Sequence, residues 1–287
     1  MQKLEVFQSL WAMESRHPGR AERPHQETFD MIVTAGYHGV CLDPSLASLE
    51  KYRAALPYME ERGLKSMVNL FPHRTRDMRP LLEFAVEARC AKVSAIAQVT
   101  PVSVMGAVPL IYRWLEDAER LGIDLLFETH RDSLLNDLYY TLEVLDAVPE
   151  LMLTADLSHF VVEREFQLPL SRRDRGFIDR IHERADCFQG RVASREQVQV
   201  QLNFPQHRPW VALFKEFWRD GMRSWRARNH PDATCVFLCE LGPRPYAMTD
   251  GQQNELSDRW QEALVMKRWV EEIWADLDRE SAASDVP

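Results

Sequence analysis

Leu125-Leu126-Phe127-Glu128-Thr129-His130-Arg131 is an apolar run that ends abruptly in a carboxylate, an imidazole and a guanidinium. It follows Gly122, and a short apolar run in that position reads as a parallel strand buried on both faces. Polar groups at the C-terminal end of such a strand lie where α/β folds keep their active sites. Two later stretches repeat the pattern. Leu151-Met152-Leu153-Thr154-Ala155 runs into Asp156, with His159 three residues on, and Cys235-Val236-Phe237-Leu238-Cys239 runs into Glu240.

Working outward, candidate strands open at Leu4, Gly39, Leu64, Ala91, Leu125, Leu151, Cys187 and Cys235. Helical patterns fill the gaps: Gln26 to Ala35, Pro44 to about Arg62, Arg79 to Arg89, Val108 to Leu121, Leu134 to Val148, Phe177 to Ala185, Trp210 to Arg228 and Leu256 to Leu277. Eight alternations of β and α without a Pro-, Gly- or Ser-rich linker imply right-handed crossovers and a parallel sheet. That number predicts α/β architecture as one closed (β/α)8 TIM barrel, a single domain over 1–280, and 287 residues suffice for it. The small polar tail 281–287 is expected to be disordered. The loop after the seventh strand, Ala193 to Arg208, reads as the longest, and long loops at that end carry substrate contacts.

Composition excludes several classes. A net charge of -9 argues against a phosphate backbone, so no nucleic-acid partner is expected. No apolar run approaches the ~20 residues that span a bilayer, and the N-terminus lacks a basic-then-apolar leader, so no membrane partner and a cytoplasmic location are expected. The five cysteines include no C-x-x-C pair and read as reduced and buried; Cys235 and Cys239 share a strand face but lie too far apart to bridge. No G-x-G-x-x-G or G-x-x-x-x-G-K-[ST] marks a nucleotide site.

Glu128, Asp156 and Glu240 end strands five, six and eight, and the seventh strand offers Gln189 and Arg191, which face the same way. A lone acidic residue after a strand is usually a helix N-cap. Three on near-consecutive strands repel unless a cation sits between them, which favours a metal site. Two Glu and one Asp with an amide or imidazole suit Mg2+, Mn2+ or Co2+ better than a thiolate-type zinc site does. The spacing of His159 lets its ring return towards Asp156, as ligand neighbour or as structure. Either His130 or Arg131 faces the cavity, and the residues do not choose between them. Arg191 reads as a substrate contact or an internal salt bridge, and Trp11 as the floor of a sugar site or plain core. The stripe Trp210, Phe214, Phe217, Trp218 and Trp225 reads as a packed helix face or subunit contact. The run Arg172-Arg173-Asp174-Arg175 reads as a solvated loop.

As a set, Phe127–Arg131, Ala155-Asp156-Leu157-Ser158-His159, Gly190-Arg191-Val192, Gln199-Val200 and Cys239-Glu240-Leu241-Gly242-Pro243-Arg244-Pro245-Tyr246 resemble the xylose isomerase-like TIM barrels of the sugar phosphate isomerase/epimerase superfamily. The resemblance spans nearly the whole chain. It implies that Glu128 and Glu240 bind a divalent metal and act as an acid/base pair. It further implies that Asp156 is a ligand and that His159 and Arg191 contact substrate; His130 and Trp11 are taken, from the reading of the residues above, as further substrate contacts. The metal it implies is Mn2+ or Mg2+, with Co2+ or Zn2+ as alternatives. The reaction it implies is isomerisation or epimerisation of a sugar or keto-sugar by enediolate proton transfer, with a lyase or dehydratase acting on a keto-sugar or keto-cyclitol as the nearest alternative and a non-catalytic, partner-binding barrel as the second. A homodimer or homotetramer is the expected assembly. One departure stands out: where the family places a histidine ligand on strand seven, this chain has Gln189, whose amide oxygen is the weaker donor.

Overall fold

The structure, a computed structural model, describes residues 1–284. Eight parallel strands close into a barrel in sequence order. They are β1 (Lys3–Ser9), β2 (Gly39–Leu42), β3 (Lys65–Leu70), β4 (Lys92–Ala95), β5 (Leu125–Glu128), β6 (Leu153–Ala155), β7 (Ala185–Gly190) and β8 (Thr234–Cys239), and β8 pairs with β1 to complete the ring. Around it run α1 (His25–Thr34), α2 (Leu49–Arg53), α3 (Leu56–Glu61), α4 (Met78–Glu87), α5 (Val104–Glu119), α6 (Leu138–Ala147), α7 (Leu157–Glu163), α8 (Arg172–His182), α9 (Arg208–Arg228) and α10 (Arg259–Ser284). The expected single-domain (β/α)8 barrel is therefore the architecture found.

Strand period two sorts the side chains into two cores. Phe7, Cys41, Met67, Leu126, Cys187, Val236 and Leu238 form one buried cluster, separate from the larger one shared by the sheet and the helices. Asp43, Asn69, Glu128, Gln189 and Glu240 each follow a member of that inner cluster by two residues, so they cap it at the C-terminal mouth. Helix and strand neighbours approach closely where glycine removes the side chain. A Cβ on Gly190 would fall 2.2 Å from Met266 of α10, and one on Gly39 would fall 2.2 Å from the Phe7 ring. Gly122 ends the α5 segment at φ +70, a left-handed conformation that glycine adopts without strain.

Several expected boundaries move. The segment from Pro44 to Arg62 is two short helices, and α8 begins at Arg172, so Arg172–Arg175 form its first turn rather than a loop. Ser171 caps that turn by accepting the Asp174 N–H, and Asp174 favours the positive helix start. A helix absent from the sequence reading, α7, follows Asp156 directly. The connection after β8 (240–258) exceeds the one after β7 (191–207), so the latter is not the longest. The closing helix continues through Ser284, four residues into the expected disordered tail; 285–287 lie outside the described residues. Phe214, Phe217, Trp218 and Trp225 are buried within this chain, which makes that stripe a packed face of α9. All five cysteines are free. Among the described residues no helix is long and apolar enough to cross a membrane.

Candidate functional site

The strand ends converge on a cavity of about 450 Å³ lined by Trp11, Asp43, Glu128, His130, Arg191, Glu240 and Tyr246, with Phe71, Ile96 and others completing the wall. Glu128, Asp156 and Glu240 each bring a carboxylate oxygen within 4.8 Å of the others. The three are almost fully buried. Asp156 also caps α7: its Oδ1 accepts the Ser158 N–H at 2.9 Å and the Ser158 hydroxyl at 2.5 Å. The N-cap reading of Asp156 is thus realised through one oxygen, which leaves the other turned towards the carboxylate group.

Arg191 lies across this group, 1% exposed. Its Nε donates to Asp156 Oδ2 at 3.1 Å, its Nη2 to Glu240 Oε2 at 2.7 Å and its Nη1 to Gln199 Oε1 at 3.2 Å. The guanidinium stacks 4.7 Å from the Tyr246 ring centroid and 5.9 Å from that of Trp11. Trp11 lies just past β1 in a short 3-10 turn and meets Tyr246 edge-on. Burial opposes the charge on Arg191, yet Asp156 and Glu240 outweigh it and hold the group above its ordinary value.

Gln189 is placed differently from the expected oxygen ligand. Its amide nitrogen donates to Glu128 Oε2 at 2.7 Å, while its own Oε1 is buried without a partner. Glu128 Oε1 is likewise buried and unpartnered. Burial, reinforced by Glu240 and Asp156, pushes the Glu128 carboxyl well above the usual range. Burial lifts Glu240 to about 7, with Arg191 pulling it back.

Both histidines come to the mouth. His130 faces the cavity, whereas Arg131 is exposed and lies over the outer side of Tyr246, 5.3 Å from its ring centroid. The His130 and His159 rings are 4.0 Å apart at their centroids. His159 Nε2 lies 3.5 Å from Asp156 Oδ2, but neither of its ring nitrogens makes a hydrogen bond. Burial, then His159, lowers His130 to about 2, and burial, then Arg191, lowers His159 well below its ordinary value.

Asp43 and Asn69 are site residues absent from the expectations above, and Gln199 and Tyr246, quoted there for the resemblance, had no role assigned. Asp43 follows β2 directly; both its oxygens are buried without a well-formed hydrogen bond, and burial, then Glu240, pushes its carboxyl well above the usual range while the nearby Asn69 amide pulls it back. The apolar run into a carboxylate, Val40-Cys41-Leu42-Asp43, was the available signal. Asn69 donates to Glu240 Oε1 at 3.3 Å, and Gln199 ties Arg191 to the Gly242 backbone.

The donor set fits a hard divalent ion: three buried carboxylates in reach of one another, with Glu128 Oε1 and Gln189 Oε1 orphaned beside them. Neither a known family profile nor a curated relative matches the chain by sequence. Solved structures do match. L-ribulose 3-epimerase is similar with a TM-score of 0.63 at 12% identity, over 98% of both chains. D-allulose 3-epimerase from Methylomonas sp. gives 0.60 at 12%, over 96% of this chain and 98% of that one. A xylose isomerase-like TIM barrel protein from Mycobacterium smegmatis, in complex with magnesium, gives 0.55 at 12%, over 93% and 97%. At such identity the likeness carries the fold, and the activity has to be argued from the site. In fold, the chain is a closed (β/α)8 barrel similar to xylose isomerase-like barrels and ketose 3-epimerases.

Proposed function

We propose that this chain is a cytoplasmic, divalent-metal-dependent isomerase or epimerase of a sugar or keto-sugar, moving a proton through Glu128 and Glu240. The observation that carries the reading is the meeting of these two buried carboxylates, with Asp156, at one cavity mouth. The ketose 3-epimerases and the magnesium-bound barrel among similar folds support it. Glu128, Asp156 and Glu240 would hold the ion, Mg2+ or Mn2+ by their chemistry. When bound, such an ion polarises a carbonyl and its neighbouring hydroxyl and so acidifies the adjacent C–H.

The chain's own groups supply the rest. Glu128, from β5, takes the proton beside the carbonyl. Glu240, from β8, returns one to the same carbon or its neighbour. Unequal environments suit the pair: Arg191 and Asn69 bind Glu240, whereas only Gln189 binds Glu128. Trp11, Tyr246 and Phe71 give the cavity apolar wall that limits water around the reacting carbons.

The test is wash-in of solvent deuterium, followed by NMR across a panel of keto-sugars, with metal content measured by elemental analysis. Exchange is expected with wild type, falling about 10²–10⁴-fold in Glu128→Gln and in Glu240→Gln. A second reading, a non-catalytic barrel, draws on Arg191 and Gln189 already bridging the carboxylates. Wild-type protein that binds no metal and exchanges no proton anywhere in the panel would establish that second reading instead.

A further inference from the structure

Arg191 divides the mouth unevenly. On its side every carboxylate oxygen of Asp156 and Glu240 has a donor: Ser158 and Arg191 for the first, Asn69 and Arg191 for the second. Towards β5 the account is reversed. Glu128 Oε1 is buried without a partner, and both ring nitrogens of His159 are unpartnered although the side chain is fully buried. His130, just past the same strand end as Glu128, packs against His159 with the two rings tilted by 48°. One ligand atom each from Glu128, His130 and His159 lies within 4.8 Å of the other two.

We propose that Glu128, His130 and His159 form a second divalent-cation site, sharing Glu128 with the carboxylate group and taking a borderline ion such as Zn2+ or Co2+. Two imidazoles and one carboxylate are the donors that such ions select, whereas Mg2+ and Ca2+ select oxygen. Three protein ligands leave a position open to the cavity, which His130 and Glu128 line. The ligands stand on neighbouring elements, at the end of β5 and in the first turn of α7, and Asp156 Oδ2 lies 3.5 Å from His159 Nε2. Orphan nitrogens alone would not make a site. His182 also has two, but it packs against Phe217 and Phe188 with no second imidazole or carboxylate grouped with it. His130 has two contacts to adjust, and its Nε2 lies 3.4 Å from the Tyr246 hydroxyl. Its Nδ1 now accepts the Asp132 N–H at 3.2 Å, and that exposed bond yields whichever ring nitrogen meets the ion, because ligation by Nε2 places the ring proton on Nδ1.

The site goes beyond the proposed function and shares only Glu128 with it. The experiment titrates chelator-treated, full-length protein with Co2+, read by visible absorption and by paramagnetically shifted, exchangeable imidazole N–H signals. Wild type is expected to develop two such signals, retained in Glu240→Gln. In His159→Gln and in His130→Gln the remaining signal is weak and Co2+ affinity falls at least tenfold. Excess Mg2+ leaves the signals in place. Circular dichroism shows which variants fold; if His159→Gln does not, His130→Gln at the cavity rim decides alone. Absence of the imidazole signals in wild type, or their persistence unchanged in the histidine variants, overturns the proposal. Co2+ held by the imidazoles without deuterium exchange on any keto-sugar would leave this site standing and the enzymatic reading fallen. Exchange with Co2+ indifferent to the histidines would do the reverse.

Discussion

The two sides of the barrel mouth are built from the same kinds of residue and are left in opposite states. On the β6–β8 side, Arg191 satisfies Asp156, Glu240 and Gln199 at once and is held flat by Tyr246. Towards β5, Glu128 Oε1 and both ring nitrogens of His159 are buried without a hydrogen bond, and the His130 ring lies against His159 beside the cavity. Buried polar groups are normally paired, and those left unpaired call for an external partner or a proton. The first side is therefore held in place before any ligand arrives, and the second carries the atoms still without a partner.

The most severe way to break the comparison is Arg191→Met. It would strand Asp156 and Glu240 in a buried place without their cation, a change that costs about 3–5 kcal/mol when one partner of a buried pair is lost. The expected result is a matching fall in the denaturant midpoint at unchanged slope. Arg191→Lys keeps the charge but cannot span three acceptors, so it should fall in between. A loss below about 1 kcal/mol would mean that the β6–β8 side is not held by this network.

How much of this was legible beforehand differs by kind. β5 was readable because a strand covered on both faces is apolar throughout and its first polar residue marks the mouth; Leu126 and Glu128, two apart, give both the core and the site. α7 was not readable. Leu157 to Val162 is as apolar as a strand, and only the bond from Ser158 N–H to Asp156 Oδ1 reveals the helix start. Arg191 was readable as an internal cation but not as a threefold bridge, because its acceptors come from β6, β8 and the loop bearing Gln199. Asp43 carried the same strand-end signal as Glu128, yet its importance lies in the absence of partners, which only three-dimensional packing discloses.

His182 sharpens the comparison from outside the mouth, since it shares the orphan nitrogens of His159 but sits among aromatic rings. Burial lowers it from 6.5 to about 3. Below pH 6.5 the unfolded chain takes up a proton that the folded chain refuses, so stability is lost as pH falls from 6.5 towards 3. His182→Leu removes that linkage. It should leave stability near wild type at pH 8 and exceed wild type by about 2 kcal/mol at pH 5, measured by urea unfolding at each pH. Equal pH profiles would place a solvent or side-chain partner on His182, and its contrast with His159 would disappear.

The smallest expected effect probes the boundary between the two sides. Gln189 gives Glu128 its single side-chain bond, at 2.7 Å, while withholding its own oxygen from any partner. If burial keeps a proton on Glu128, that bond joins two neutral groups, and Gln189→Leu should cost only about 1 kcal/mol. If Glu128 is ionised, the same substitution strips a buried charge of its donor and should cost about 3 kcal/mol or more. Urea unfolding of the metal-free protein separates the two cases. Gln189→His supplies the complementary reading, because it adds an imidazole beside Glu128 where the amide stood. Co2+ affinity should then rise at least tenfold. A rise of that size means the β5 side is short of nitrogen donors, and an unchanged affinity means that His130 and His159 already meet the ion's demand.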